Sequence, residues 1–400
     1  MKTNSSDYKY QHLGTVFRLV EQFELISRTD LAKLSGLAPA SMTVLTKSLI
    51  DNKFILERTS QNLPSRGRPA VGLSVSPFHW HLLCLTVSQH KLSISLCELS
   101  GVASHTVDYT LNPSDYSNLD NYILNCLQRF AHKYPSDISN LLAISVSVVG
   151  KVDQNKTTIT QLGTHHLDCH LVETLQAFSN KPILLNEHFQ LWFLAESTLG
   201  SLISNDNVIF LQLDDAVNLS VLLKGKLLHQ DEHKRMNVDK MMMPKFSPLS
   251  DEIATDKSEL ERYQLANQVT FSALTNLIDR YLPNNLDNQT AKIKLFCEQV
   301  EQNNCHALQI LEHITDNLAY MLMNLTNIFS TERIMLNSPL LQIKGILFDK
   351  LQEKLSRNLL NNLKVDIVTS QYDWDSTQIP AVAIKLGIYE GSLIKDVISL

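Results

Sequence analysis

The stretch Ile26 to Leu73, ISRTDLAKLSGLAPASMTVLTKSLIDNKFILERTSQNLPSRGRPAVGL, decides how the front of this chain folds. It predicts a helix, a tight turn, a second helix, and two short strands joined by a loop carrying Arg66-Gly67-Arg68-Pro69. Ser27 followed by Asp30 makes a box-like helix start, with a carboxylate at the positive helix end. Ile26, Leu31 and Leu34 form an apolar stripe on the first helix, and Gly36 ends it. Pro39 fits the first turn of the second helix, where a missing N–H costs nothing. Met42, Leu45, Leu49 and Ile50 are expected inward, leaving Ser41, Thr43, Thr46 and Lys47 outward behind Pro39 and Ala40. Short polar side chains with one cation suit a helix entering a DNA major groove, because they let its backbone approach base edges. A helical hairpin with a merely solvated face is the plainer reading, and it leaves the basic loop unexplained.

Working outward, Leu13–Phe23 (LGTVFRLVEQF) reads as an amphipathic helix with Val16, Leu19, Val20 and Phe23 covering the two helices behind it. Phe54 to Arg58 and Ala70 to Val75 read as partner strands. The expectation is a winged helix-turn-helix. Gly67 makes the wing tip flexible and Pro69 stiffens it, while Arg66 and Arg68 can reach phosphates or probe a narrow minor groove.

Charge supports this division. Residues 1–75 hold 10 Lys and Arg against 6 Asp and Glu, whereas the remainder holds 25 against 35. A basic head on an acidic body fits a head that meets phosphates and a body that stays off them. At 400 residues with 44% apolar content, the chain calls for two or three domains. It has no apolar run long enough for a membrane span, and MKTNSSDYKYQH lacks the apolar core of a secretory signal, so a cytoplasmic location is expected. The six cysteines (Cys84, Cys97, Cys126, Cys169, Cys297, Cys305) are read as reduced core residues.

From Trp80 the texture changes to alternating strands and helices. Strands at 80–87, 91–99 and 102–110, a helix at 116–132, a strand at 142–149, a short helix at 172–178, a strand at 183–185 and a helix at 188–199 form one series. A second begins with strands at 207–213, 218–223 and 226–229. Helices at 259–281, 290–301 and 306–329 follow, then a strand at 333–336, a helix at 340–355, a strand at 364–368 and a helix at 380–389. Two similar α/β units in tandem predict paired lobes hinged over a cleft, repeated in element order only. The apolar stripe of the helix at 306–329 reads as core.

L-A-P-A-S-M-T, S-R-G-R-P-A-V-G-L, Leu141–Asp153, Asn186–Glu196 and Asn327–Asn337 together resemble the ROK family of repressors, open reading frames and sugar kinases. The likeness is to its repressors of sugar uptake and covers nearly the whole chain. It implies an α/β fold: an N-terminal winged helix-turn-helix followed by a two-lobed, actin-like (ribonuclease H-like) body. The expected domains are 1–78, 79–190 completed by 380–400, and 191–379 with dimerisation helices.

Departures from the family pattern weigh against catalysis, so no catalytic residue and no cofactor are expected. Where the resemblance implies a Gly-rich phosphate turn, the chain has Thr86-Val87-Ser88-Gln89-His90, with no glycine to let the backbone approach a phosphate. A second phosphate loop is replaced by Asp214-Asp215-Ala216-Val217-Asn218, and a late Gly-Gly turn by Asn337-Ser338. The family's catalytic Asp corresponds to Glu187, whose extra methylene displaces the carboxylate by about an ångström. The zinc signature falls on Met236–Lys257, which has no cysteine, with Asn237 and Lys240 at the places of a sugar-binding Glu and a zinc His. That polar, Met-rich segment, 230–257, is expected to be a mobile loop. No metal is expected; His165, His166, Asp168, Cys169 and His170 match no closed-site spacing and read as a helix-entry loop, and His229 and His233 are weaker still. Asn186 and Glu187 could hold sugar hydroxyls, or could simply form a helix start, Asn186 capping it and Glu187 favoured by the dipole.

The expected partners are a double-stranded DNA operator, a second copy of the chain in a homodimer or higher oligomer, and a sugar, sugar-phosphate or protein effector. No membrane is among them. Two heads on one two-fold axis give the contact that one head lacks. The expected function is a transcriptional regulator, a repressor of sugar uptake or metabolism genes without kinase activity. A divergent sugar kinase with a fused head is the alternative.

Overall fold

The computed structural model describes residues 5–59, 71–163, 165–228, 236–357, 359–360 and 364–398. The chain divides into two compact units, Met1–Leu199 with Tyr372–Leu400, and Gly200–Gln371.

Three helices, α1 (Ser5–Gln22), α2 (Arg28–Ser35) and α3 (Pro39–Asp51), precede two antiparallel strands, β1 (Ile55–Thr59) and β2 (Val71–Val75). α1 buries Leu13, Val16, Phe17 and Val20 at three- and four-residue steps, the stripe a core-facing helix requires. Phe23 lies beyond its last turn and is exposed. Ser27 Oγ accepts from the Asp30 N–H at 3.1 Å, and Gly36 ends α2 at φ 69°. Leu34 points to solvent; Leu31 and Ala32 carry the buried face of that short helix.

β3 (His81–Val87), β4 (Lys91–Glu98) and β5 (Ala103–Thr110) form an antiparallel meander, and α4 (Leu119–Lys133) and α5 (Pro135–Ile138) lead to β6 (Leu141–Val148). β6 runs parallel to β3, and every residue of it is buried, as a central parallel strand demands. β7 (Gly150–Val152), β8 (Ile159–Leu162) and β9 (His165–Cys169) form a small antiparallel sheet that sequence reading missed. The residues expected as a helix-entry loop are thus strand β9, followed by α6 (Leu171–Gln176). β10 (Ile183–Glu187) runs parallel to β6 and leads into α7 (His188–Thr198). The sheet order is β10-β6-β3-β4-β5.

The second unit repeats this plan. β11 (Val208–Leu213), β12 (Val217–Leu223) and β13 (Lys226–Leu227) are the meander. Six helices follow: α8 (Leu249–Glu252), α9 (Glu259–Arg262), α10 (Leu265–Val269), α11 (Phe271–Tyr281), α12 (Gln289–Glu301) and α13 (Cys305–Phe329). β14 (Arg333–Asn337), α14 (Lys344–Ser356) and β15 (Asp366–Val368) complete the order β13-β12-β11-β14-β15. Each sheet therefore has a three-strand antiparallel edge joined to two parallel strands through its first strand, which is the element-order duplication expected from sequence.

The helix expected over 259–281 is three helices. Its backbone is captured elsewhere: Leu265 N–H donates to the Met241 carbonyl at 2.8 Å and Phe271 N–H to the Asp214 carbonyl at 2.9 Å. The same contacts correct the expectation of a mobile loop, since among the described residues of that segment Val238, Met243 and Leu249 are buried. His229 and His233 lie outside the described residues. Five cysteines are buried, but Cys305 opens α13 and is exposed.

α15 (Gln378–Tyr389) and α16 (Ser392–Ile398) return to the first unit, where α15 packs on β3, β6, α7 and α1. α7 stays in that unit too, its buried Glu196 accepting from the Tyr372 N–H at 2.9 Å. The geometric division consequently falls at Leu199 and Tyr372, not at 190 and 379.

Candidate nucleic-acid interface

α2 and α3 are joined by a short turn, and α3 starts at Pro39 with Ala38 as an N-cap that offers no side-chain acceptor. The face of α3 buried against the head core is Met42, Leu45, Thr46 and Leu49. The opposite face presents Pro39, Ala40, Ser41, Thr43, Val44 and Lys47.

Thr46 corrects the sequence reading. It is fully buried, not outward. Its hydroxyl donates to the Met42 carbonyl at 2.8 Å and accepts from Arg28 Nε at 2.9 Å. Arg28 also reaches Glu57 on β1 at 2.5 Å, so one guanidinium ties the start of α2 to both α3 and β1. Ile50, expected inward, is only half-buried. Sequence reasoning missed Arg28, and it missed Val44, which is 64% exposed between the outward polar residues. An exposed β-branched residue is of the kind that can make apolar contact with a thymine methyl group. Thr43 Oγ1 donates to the Pro39 carbonyl at 3.0 Å, which fixes its rotamer. Arg66, Gly67 and Arg68 lie outside the described residues.

The body places the other candidates as follows. Asn186 and Glu187 end β10, and neither side chain caps α7. Asn186 Oδ1 accepts from Lys156 Nζ at 2.9 Å, and Glu187 Oε1 accepts from the Val152 N–H at 3.2 Å. Asn186 therefore contacts Lys156 in the β7–β8 hairpin instead of capping the helix, while Glu187 stands at the N-cap position of α7 as the helix-start reading has it. His188, next in sequence, is buried against Trp192 and Trp374, with Ser147 Oγ 2.8 Å from its Nδ1; burial depresses its pKa to about 4.

At the first phosphate-turn position, Tyr116 OH donates to the Gln89 carbonyl at 2.5 Å, and the Gln89 side chain lies against Gly163. At the second, Asp214 accepts from the Ala216 N–H at 3.0 Å and from Gln212 at 2.8 Å, while burial raises its pKa. Ser338 accepts from the Leu340 N–H at 3.2 Å and caps a short 3-10 helix at Pro339–Ile343. On β9, His165, His166 and Asp168 are exposed. Among the described residues, no three His, Cys, Asp or Glu side chains converge to hold a metal ion. Nor is any described helix long and apolar enough to cross a membrane.

Residues 264–384 match the sequence model of the ROK family. The DNA-binding transcriptional repressor Mlc of Escherichia coli is 23% identical over 398 residues, covering 96% of this chain and 95% of that protein. The DNA-binding transcriptional dual regulator NagC of the same organism is 21% identical, covering 98% and 96%. Among solved structures, a ROK family transcriptional regulator described as a homologue of Mlc shares the fold at a TM-score of 0.81, with 23% identity, covering 98% of this chain and all of that one. A ROK hexokinase from Thermus thermophilus matches 76% of this chain at a TM-score of 0.60. The chain carries a ROK family domain and is homologous, over nearly its whole length, to the Mlc and NagC repressors.

Proposed function

We propose that this protein is a sequence-specific DNA-binding transcriptional regulator, acting as a repressor of sugar uptake or metabolism genes and without kinase activity of its own. The observation that carries the reading is the outward face of α3: small and polar residues ending in Lys47, on a helix held to its neighbours by Arg28 and Thr46. In this reading Pro39, Ala40, Ser41, Thr43, Val44 and Lys47 meet the major groove, and Arg66, Gly67 and Arg68 meet the adjacent backbone or minor groove. Thr46 and Arg28 position the helix. Two relatives named as DNA-binding regulators support it.

The absence of kinase activity follows from the residues at the phosphate positions. Ser88-Gln89-His90 cannot bring a bare backbone to a phosphate, and the Asp214 and Asp215 carboxylates repel one. The body instead serves as a sensor, either of a sugar or sugar-phosphate held near Asn186 and Glu187 or of a protein partner. The working state is a cytoplasmic homodimer reading a near-palindromic operator.

The test is genome-wide footprinting with the full chain, followed by titration of the recovered duplex at several salt concentrations. Binding of a near-palindrome with a steep salt dependence is expected. A protein that ignores every duplex yet turns over ATP with a hexose would overturn the reading.

A further inference from the structure

α3 ends in a Schellman-type turn. Phe54 N–H donates to the Leu49 carbonyl at 2.9 Å and Lys53 N–H to the Ile50 carbonyl at 3.0 Å, with Leu49 and Phe54 packed together in the core. That arrangement puts the residue between Asn52 and Phe54 in the left-handed region, where glycine is the usual occupant. The residue is Lys53, at φ 64°. A long cationic side chain on a backbone that suits glycine directs attention to what surrounds it.

Lys53 opens onto a groove of about 640 Å³ running between α3 and β1. Thr43, Lys47 and Ile50 line it from one face of α3, Arg28 and Glu57 from the other side, and Phe78 and His79 from the segment after β2. Glu57 is neutralised by Arg28, whereas Lys47 and Lys53 are exposed and pair with no carboxylate among the described residues. Phe78 is 79% exposed, while its neighbour Trp80 is anchored by its indole N–H to the Asn52 carbonyl at 2.8 Å. The groove thus combines uncommitted cations with one apolar ring on a fixed support. Its position, between the helix proposed for the major groove and the wing strand, is where a strand of the duplex passes from one to the other.

We propose that the groove between α3 and β1 seats a run of DNA sugar–phosphate backbone, with Lys53 as a phosphate contact and Phe78 packed against deoxyribose. The proposal rests on the DNA-binding reading above and adds to it a contact that lies off the recognition face. Phosphate contacts carry no sequence information, so Lys53 contributes affinity and register, not base preference.

Lys53→Gly is the discriminating variant, because glycine relaxes the turn while removing the side chain and its ammonium. The full chain is titrated against a duplex selected by this protein from a randomised pool, and against mixed-sequence DNA, across a range of salt. The variant is expected to keep or raise its unfolding midpoint, to bind both duplexes more weakly in the same proportion, and to lose about 0.9 from the log–log salt slope for each engaged head. Lys53→Arg restores the slope. Phe78→Ala weakens both duplexes and leaves the slope intact. If Lys53→Gly keeps the parent slope while Lys47→Ala lowers it, the groove assignment fails and the DNA reading survives. A Lys53→Gly protein that is less stable but binds normally makes Lys53 a helix-end cation only, which also overturns the proposal. If the parent binds no duplex at all, it is the DNA reading that fails.

Discussion

Glu21 on α1 and Lys385 on α15, 364 residues apart in sequence, meet at 2.6 Å with the lysine side chain only 2% exposed. Lys385 Nζ also donates to the Ser100 carbonyl at 2.6 Å, and Tyr389 OH donates to the other Glu21 oxygen. Burial and that carboxylate push the Tyr389 hydroxyl well above its ordinary pKa. The helices approach to backbone contact nearby, since a Cβ on Gly14 would lie 2.2 Å from the Tyr389 carbonyl oxygen. The N-terminal helix α1 is therefore seated on the C-terminal helices α15 and α16, and α15 in turn packs on α7, which begins just after Asn186 and Glu187.

Removing one member of this pair strands the other as a buried charge. Glu21→Gln and Lys385→Met are each expected to destabilise the first unit by about 3–5 kcal/mol. The double variant should cost clearly less than the two together, because neither charge is then left alone. Urea unfolding followed by tryptophan fluorescence reads this unit selectively, as Trp80, Trp192 and Trp374 all lie within it. Additive losses would mean that the Ser100 carbonyl and the Gln378 amide oxygen, 2.6 and 3.3 Å from Lys385 Nζ, already satisfy the lysine.

Thr46 and Val44 have exchanged the roles their polarity suggests, and two substitutions separate them. Thr46→Val keeps the shape but removes the acceptor for Arg28, so it should cost about 1 kcal/mol of stability while leaving base preference unchanged. Val44→Ser should fold normally and lose about 1 kcal/mol of discrimination at one base pair of each half-site. A selection from randomised duplexes with each variant checks both. A shifted preference in the Thr46 variant would return that residue to the groove.

The head's elements were legible because local signals agreed: a capped helix start, a left-handed glycine, a proline at the first helical position, and strands that alternate. Thr46 was misread because a hydroxyl suggests water, although its spacing from Met42, Leu45 and Leu49 already placed it on the buried stripe. Its partner Arg28 lies 18 residues away, beyond any local pattern. The doubled sheet order was visible in the alternation of elements. The β7–β9 sheet was not, as its strands are short and their outward residues polar. The breaks at Gln264 and Thr270 follow from distant carbonyls capturing the backbone, which no periodicity encodes. Nor could sequence alone place Lys156 beside Asn186 or Lys385 beside Glu21.

On the DNA-binding reading, Lys47 and Arg68 are the cations whose loss should matter most. Lys47→Ala or Arg68→Ala is expected to weaken binding by about 1–3 kcal/mol. The two should also differ in kind. Losing a phosphate contact flattens the salt slope and affects all sequences alike, whereas losing a base-edge contact relaxes preference at one position. Parallel titrations against selected and mixed duplexes assign each residue to one class. Unchanged binding in both variants would remove α3 and the wing from the interface.

His188 sets an acid limit on the first unit. Its ring is 1% exposed, and burial lowers its pKa from 6.5 to about 4. Between those values the unfolded chain binds a proton that the folded chain refuses, so stability rises with pH across that window. The contribution is fully present above pH 6.5 and is lost as pH falls toward 4, amounting to about 3 kcal/mol in all. His81, whose pKa burial also lowers, adds a slope of the same sign in the same unit. His188→Gln should be less stable at neutral pH, where it gives up the packing against Trp192 and Trp374, yet lose markedly less on acidification. Urea midpoints by tryptophan fluorescence at pH 7.5, 6, 5 and 4.5, chosen to span about two units of that window, give the comparison. If the variant and parent lose stability in parallel, another group titrates there and His188 takes up its proton in the folded chain as readily as in the unfolded one.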